Sequence, residues 1–416
     1  MSSSNSMPVP AAPLDDEDLL QETLLCLPPQ PSSLPRTSLV CPRWHRILSY
    51  PKFLTRFRRQ HKVPPLLGFL AKSWGMPTVF KPVDPPYHIP TERFSVPKPS
   101  KLYASWDLLG LAVLVNMWQH GQIIVWDPLS GQQHRVNFPP GLDNNEVAFW
   151  HASVMCADDQ DGHVHGDCFS SPFKLVLIWV VRHNQASACL HESASAVWGE
   201  TVMEITDQIY FISPGFLVGN ALCWLLSGVG VLVFDLQNQN LCVVKNPTCI
   251  TVSIGSVQLI QTKDSRLGLA YLSKQTIQLW ERKPDYDGVV RWVLLQTTIQ
   301  LEELFPQMFM DEESVRIKRY NDKSVEIKGH DDNTNVIVLS TIRGDFTLEV
   351  NMMEIKHIIK RNFKSSNTYY PYVNFYTAGS WMEMVGSRTL NTRDQLMCHM
   401  GSIRELNLCS WYVRTF

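Results

Sequence analysis

Charge of one sign is what this sequence most plainly lacks. Its 37 basic and 39 acidic residues leave a net charge of -2 over 416 residues, so no whole-molecule field draws it toward nucleic acid or an anionic membrane. Long apolar runs are missing too. Leu175–Val181 and Leu108–Val115 are the longest, far short of the ~20 residues a helix needs to cross a bilayer. The opening MSSSNSMPVPAAPLDDED has neither a basic nor an apolar stretch of the kind secretion machinery reads, which predicts a chain that is not exported. Paired cysteines are absent: the ten, at 26, 41, 156, 168, 189, 223, 242, 249, 398 and 409, form no CxxC and no tight framework. That usage fits reduced thiols in an intracellular protein, cytoplasmic or nuclear.

Motifs of chemistry are equally scarce. There is no Walker A loop, GxGxxG turn, HExxH helix or GxSxG elbow, so phosphate cradling, zinc proteolysis and acyl transfer have no support. Ser171 and Lys174 make an SxxK, a pattern that arises by chance in most chains of this length. His163, His165, Asp167 and Cys168, with Cys156, Asp158 and Asp159 nearby, have donor character but read as a Gly-Asp loop between strands rather than a closed tetrahedral set. The expectation is a non-enzyme with no cofactor and no metal.

What is present is an ordinary globular composition, 44% hydrophobic and 18% charged, enough for one large domain with a small one, or two to three of middling size. Residues 1–13 are Ser, Pro and Ala and read as a mobile lead-in. From Leu14 helices begin. Asp15 and Asp16 can cap a first turn, with Glu17 and Asp18 at its positive end. Leu20, Thr23, Leu24 and Leu27 recur at i, i+3, i+4 and i+7, with Leu19 beside them, until Pro28 and Pro29 stop the helix.

Ser33 with Pro35 predicts a second helix carrying Leu34, Leu39 and Val40. Pro42 opens a third, with Trp44, Ile47 and Leu48. Pro51 opens a fourth, with Phe53, Leu54 and Phe57. Four short helices thus precede residue 62. The basic run Arg56, Arg58, Arg59, His61 and Lys62 reads as a solvated face.

Residues 63–100 are rich in proline and form a joint and the start of a β region. Beyond it short β-branched and aromatic runs alternate with turn clusters. A hairpin repeats: LAVLVNMWQHGQIIVWD from Leu111, ALCWLLSGVGVLVFD from Ala221, LGLAYLSKQTIQLWE from Leu267 and NVIVLSTIRGDFTLEV from Asn335. Three copies end in an aromatic and an acid (Trp126-Asp127, Phe234-Asp235, Trp280-Glu281), then a turn and a further apolar run: Val136–Phe138, Leu241–Val244 or Trp292–Leu295. A looser copy runs from Phe173 through His191-Glu192 to Trp198. One such unit cannot bury its own faces, so stacking around a ring of five or six blades over residues 101–379 is the economical solution; a twisted sandwich is the alternative. Trp118, Trp150, Tyr286 and Tyr369 are candidate target anchors. Residues 380–416 show neither strand alternation nor a helical stripe.

The segment 14–54 resembles the F-box motif, through Leu14, Leu19, Leu20, Leu24, Leu27, Pro28, Leu39, Val40, Cys41, Arg43 and Trp44 in order. Asp15 stands where that family usually has Pro, and Thr23 where it has an aliphatic residue. The rest, through Val125-Trp126-Asp127-Pro128, Gly162–Cys168 and Leu279-Trp280-Glu281, is similar to the C-terminal regions of the large F-box family of grasses. The resemblance implies an α+β multidomain chain: a small all-α F-box of three to four helices at 14–62, then an all-β, irregular propeller-like domain. It implies a Skp-type adaptor as partner, bound by Leu14, Leu19, Leu20, Leu24, Leu27, Pro28, Leu39, Val40, Cys41 and Trp44, and through it a cullin-RING ubiquitin ligase. The β domain would then select an unknown protein target, with no nucleic acid and no membrane involved. Two readings stand beside it: a scaffold whose altered F-box no longer holds the adaptor, its leucines and Trp44 forming only a helical cap, and a propeller enzyme with carboxylates in its channel.

Overall fold

The fold was taken from a computed structural model, which describes residues 16–30, 33–72, 79–82, 94, 102–106, 111–116, 121–142, 147–157, 171–181, 185–205, 215–227, 230–250, 252–253, 255–262, 264–273, 275–285, 287–304, 325–331, 336–341, 344–350, 354–360 and 368–375. The lead-in at 1–13, Leu14, Asp15, the donor cluster at 163–168, Trp118, Tyr286 and the segment 380–416 lie outside them. The chain divides into two compact units.

Among the described residues, the first unit comprises those up to Pro65 together with Phe375. Its helices are α1 (Glu17–Leu25), α2 (Ser33–Ser38), α3 (Pro42–Leu48) and α4 (Pro51–His61). The starts of α1, α3 and α4 have local causes. The Asp16 carboxylate accepts from the free N–H groups of Asp18 (2.8 Å) and Leu19 (3.2 Å), and Pro42 and Pro51 occupy first-turn positions of α3 and α4 where a missing N–H is harmless. The unit's core is Leu20, Leu24, Leu25, Leu34, Ile47, Leu48, Phe53, Phe57 and Phe375. Phe53 and Phe57, four residues apart on one face of α4, lie 6.2 Å apart, and Phe375 meets Phe57 edge-on at 6.2 Å.

The second unit is a six-bladed β-propeller. In chain order it starts with β1 (Leu66–Lys72) and β2 (Val79–Pro82). One blade follows as β3 (Leu102–Trp106), β4 (Ala112–Asn116), β5 (Gln122–Trp126) and β6 (Gln133–Asn137). The next has five strands: β7 (Val147–Cys156), β8 (Phe173–Val181), β9 (Gln185–Glu192), β10 (Val197–Trp198) and β11 (Val202–Ile205), the last two both paired to β9. Then come β12 (Phe216–Val218), β13 (Ala221–Leu225), β14 (Gly230–Asp235) and β15 (Asn240–Lys245). The blade after that is β16 (Val257–Gln261), β17 (Leu267–Ser273), β18 (Thr276–Pro284) and β19 (Val290–Gln300), trailed by α5 (Leu301–Leu304). The last full blade is β20 (Val325–Asp331), β21 (Val336–Thr341), β22 (Gly344–Glu349) and β23 (Glu354–Lys360). All pairs are antiparallel, and all join chain neighbours except two, one of them β11 with β9. The final strand, β24 (Thr368–Val373), pairs with β1, so that β2-β1-β24 closes the ring from its two ends.

Strand periodicity explains why these sheets stack. Successive side chains of a strand point to opposite faces, and in β8 the two sets enter two different cores. Leu175, Leu177 and Trp179 join Val113, Val115, Ile123 and Val125 of the preceding blade. Val176, Ile178 and Val180 join Leu222, Trp224, Leu232 and Phe234 of the following one. In the same way β21 gives Ile337 and Leu339 to one core and Val336 and Val338 to the other. Strands buried on both faces read as unbroken apolar runs, which is why Leu175–Val181 looks so hydrophobic without being a membrane segment. Among the described residues no helix is long and apolar enough to cross a membrane.

All four hairpins read as repeats are the middle pairs of blades: β4–β5, β13–β14, β17–β18 and β21–β22. The acid that follows the aromatic has one clear task in two of them. Asp127 accepts from the N–H groups of Leu129 (2.9 Å) and Ser130 (3.3 Å), and Asp235 from those of Gln237 and Asn238 (2.8 Å each), closing the turn to the next strand. Glu281 differs. It lies within β18, which continues to Pro284, and is buried, accepting from the Thr262 hydroxyl at 2.7 Å.

Candidate functional site

The helical unit separates its apolar residues into those that hold it together and those it leaves outside. On α1, Leu20 (0% exposed) and Leu24 (2%) are one turn apart and face inward. Leu19, one residue back and so rotated by about 100°, is 54% exposed. Val40, just past α2, is 43% exposed, and Tyr50, capping α4, is 54%. Pro28 is exposed, Leu39 and Cys41 are half-buried, and Leu27 and Trp44 are half-buried against the core.

Leu20 and Leu24, expected among the adaptor-contact residues, are buried, because four helices supply enough apolar partners to enclose them. Of the expected contact residues that the structure describes, Leu19, Pro28 and Val40 are exposed, and Leu27, Leu39, Cys41 and Trp44 are half-buried.

Polar contacts fix the flank of α1. Glu17 pairs with Arg46 of α3 at 3.2 Å, and Glu22 with Arg56 of α4. These pairs are solvent-exposed and contribute little to stability, and Arg56 is the member of the basic run that they engage. The His61 ring nitrogen Nε2 lies 3.2 Å from the carbonyl of Leu25, one of those the end of a helix leaves without an intrahelical donor. Thr23 is exposed, and its hydroxyl donates to the Leu19 carbonyl at 2.8 Å. Its departure from an aliphatic residue therefore removes nothing from the core.

In the propeller the candidate anchors Trp150 (7% exposed) and Tyr369 (1%) are core residues. The Tyr369 hydroxyl donates to the buried Asp345 carboxylate. Burial lowers the pKa of Lys72, at the end of β1, and lowers that of His151 of β7 to about 4, with the charge of Lys72 adding to the effect. Burial also lowers that of His191.

Residues 106–376 match the family described as F-box protein AT5G49610-like, beta-propeller. Residues 16–56 match the F-box domain. The chain belongs to the F-box β-propeller proteins. No curated protein matches the sequence. Among solved structures the Dos1 propeller is similar at 11% identity, covering 71% of this chain and 69% of that one, with a TM-score of 0.33.

The F-box match ends at Arg56, one residue short of Phe57. The F-box core thus extends past it, to Phe57 and to Phe375. The propeller match starts at residue 106, so β1, the strand that closes the ring with β24, falls outside both matched regions.

Proposed function

We propose that this chain is the target-selecting subunit of a Skp–cullin–F-box ubiquitin ligase. Its F-box binds a Skp-type adaptor, and its propeller binds a protein target. The observation that carries this reading is the pair of large apolar residues, Leu19 and Val40, that a well-packed F-box leaves in water. Exposed apolar surface in a unit whose core is already filled is what a partner groove would cover. The adaptor-contact set is then Leu14, Leu19, Leu27, Pro28, Leu39, Val40, Cys41 and Trp44, with Leu20 and Leu24 supporting them from beneath. In this reading the chain has no chemistry of its own; ubiquitin transfer belongs to the other subunits, and it works in the cytoplasm or nucleus.

The test is binding of the full chain to a Skp-type adaptor, comparing wild type with Leu19→Asp and Val40→Asp combined. Both positions are exposed, so the double variant keeps the fold while placing two charges on the contact face. Loss of binding by more than about tenfold, some 1.4 kcal/mol, is expected. Unchanged binding, or none by the wild type, overturns the reading and favours the scaffold alternative.

A further inference from the structure

The F-box core contains a residue from the far end of the chain. Phe375 is 4% exposed, packs with the F-box leucines and phenylalanines, and meets Phe57 edge-on at 6.2 Å. It stands two residues beyond β24, more than three hundred positions from the helices it joins. An aromatic ring is among the largest apolar contributions any one side chain makes to a core. A helical unit this small has little surplus to lose.

Ring closure explains how Phe375 reaches that position. β1 begins five residues after α4 ends, and its first residue, Leu66, is the register partner of Val373, the last residue of β24. Directly opposed residues of an antiparallel pair lie about 5 Å apart. The chain entering β1 from α4 and the chain leaving β24 toward Phe375 therefore meet at the same end of one strand pair. Pairing β1 with β24 therefore holds the segment that leads into Phe375 close to the segment that leads out of α4. Among the described residues, that pairing is the one backbone tie that holds the approach to Phe375 beside the exit from α4.

We propose that the F-box of this protein is not an autonomous domain: its core is completed by Phe375 only when the propeller has closed through β1 and β24. An open, truncated or partly synthesised propeller leaves the F-box loosened and poor at binding its adaptor. The chain thus recruits the ligase only once its target-binding domain is whole. The part that concerns the adaptor rests on the function proposed above; the coupling of F-box order to ring closure does not. Because a partner sees only the folded fraction, its apparent affinity falls in proportion to that fraction.

Hydrogen exchange along the full-length chain tests this, with adaptor binding measured on the same samples. In Phe375→Ala the amides of α1–α4 should lose protection while β8, β14 and β17 keep theirs, and Phe375→Leu should restore most of it. A second variant opens the ring from a distance. A Cβ on Gly68 of β1 would lie 2.3 Å from the Lys81 carbonyl oxygen and 2.6 Å from the Phe80 ring, so Gly68→Val should loosen β1–β2–β24. It should also loosen α1–α4, although Gly68 is not part of the F-box core. Full protection of α4 in Phe375→Ala, or of α1–α4 in a Gly68→Val chain whose β24 exchanges freely, overturns the proposal. Loosened helices in a protein whose wild type binds no adaptor would uphold the coupling and defeat the ligase reading alone.

Discussion

The indole N–H of Trp198 donates to the backbone carbonyl of Asn137 at 2.9 Å. Asn137 ends the outermost strand of one blade, β6, and Trp198 lies on β10, at the rim of the next. The same bond recurs two blades on, where Trp292 of β19 donates to the carbonyl of Lys245, the last residue of β15, at 2.8 Å. Each acceptor has a proline two residues later, Pro139 and Pro247. Rim carbonyls at a sheet edge lack ladder partners, and a tryptophan from the neighbouring blade supplies one while joining the two rims.

Replacing either tryptophan by phenylalanine keeps most of the apolar contact and deletes the donor. Trp198→Phe and Trp292→Phe should each lower stability by about 1 kcal/mol. They clasp different blade pairs, so the double variant should be additive. Urea midpoints of the four proteins are the check.

Leu19 and Leu20 are neighbours with opposite exposure, 54% and 0%. Leu20→Ala removes a fully buried side chain and should cost about 2–5 kcal/mol, seen as loss of protection in α1–α4. Leu19→Ala should change stability by less than about 0.5 kcal/mol while weakening adaptor binding. A binding assay alongside thermal unfolding separates the two effects.

Two glycines should respond differently to alanine. At Gly230 a Cβ would sit 2.1 Å from the Val244 carbonyl oxygen. That atom belongs to the paired strand β15 and cannot step aside. Gly131 has open space but φ of +74°, so alanine there meets only the left-handed conformational penalty, about 1 kcal/mol. Gly230→Ala should cost about 3 kcal/mol or more, and denaturant midpoints measured side by side will rank them.

Stability should fall as the solution is acidified below neutrality. His151 has an ordinary pKa of 6.5 when unfolded and about 4 when folded, lowered first by burial and then by Lys72. Between those values the unfolded chain binds more protons, so the contribution is fully present above pH 6.5 and is lost as pH falls toward 4. His191, lowered by burial, acts with the same sign. His151→Phe should flatten the difference in urea midpoint between pH 7 and pH 5; an unchanged difference would assign it to other groups.

The four helices were legible in the sequence because most of their boundaries are local, although Leu39 and Val40, expected in the second helix, lie past its end at Ser38. Asp16, Pro42 and Pro51 each act within a turn of where they stand, and the Leu20–Leu24 stripe needs only the helical repeat. The middle hairpins of four blades were legible for the same reason: each is a strand, a short turn and a strand. Of the expected contact residues, the apolar character was readable, but their division between core and surface was not. Leu19, Leu20 and Leu24 have the same chemistry, and only the helices packed against α1 determine which of them face water.

The amino-acid sequence by itself determined the elements: where helices start and stop, which runs pair as hairpins, and that the β units need neighbours to cover both faces. Tertiary structure alone decided the number of blades, the closure of the ring by β1 with β24, and the delivery of Phe375 into the F-box core. The physical reason is range. Caps, turns and periodicity are set by interactions within a few residues, whereas the pairing of Leu66 with Val373 joins chain ends that no local pattern connects, and it exists only because every blade between them is already in place.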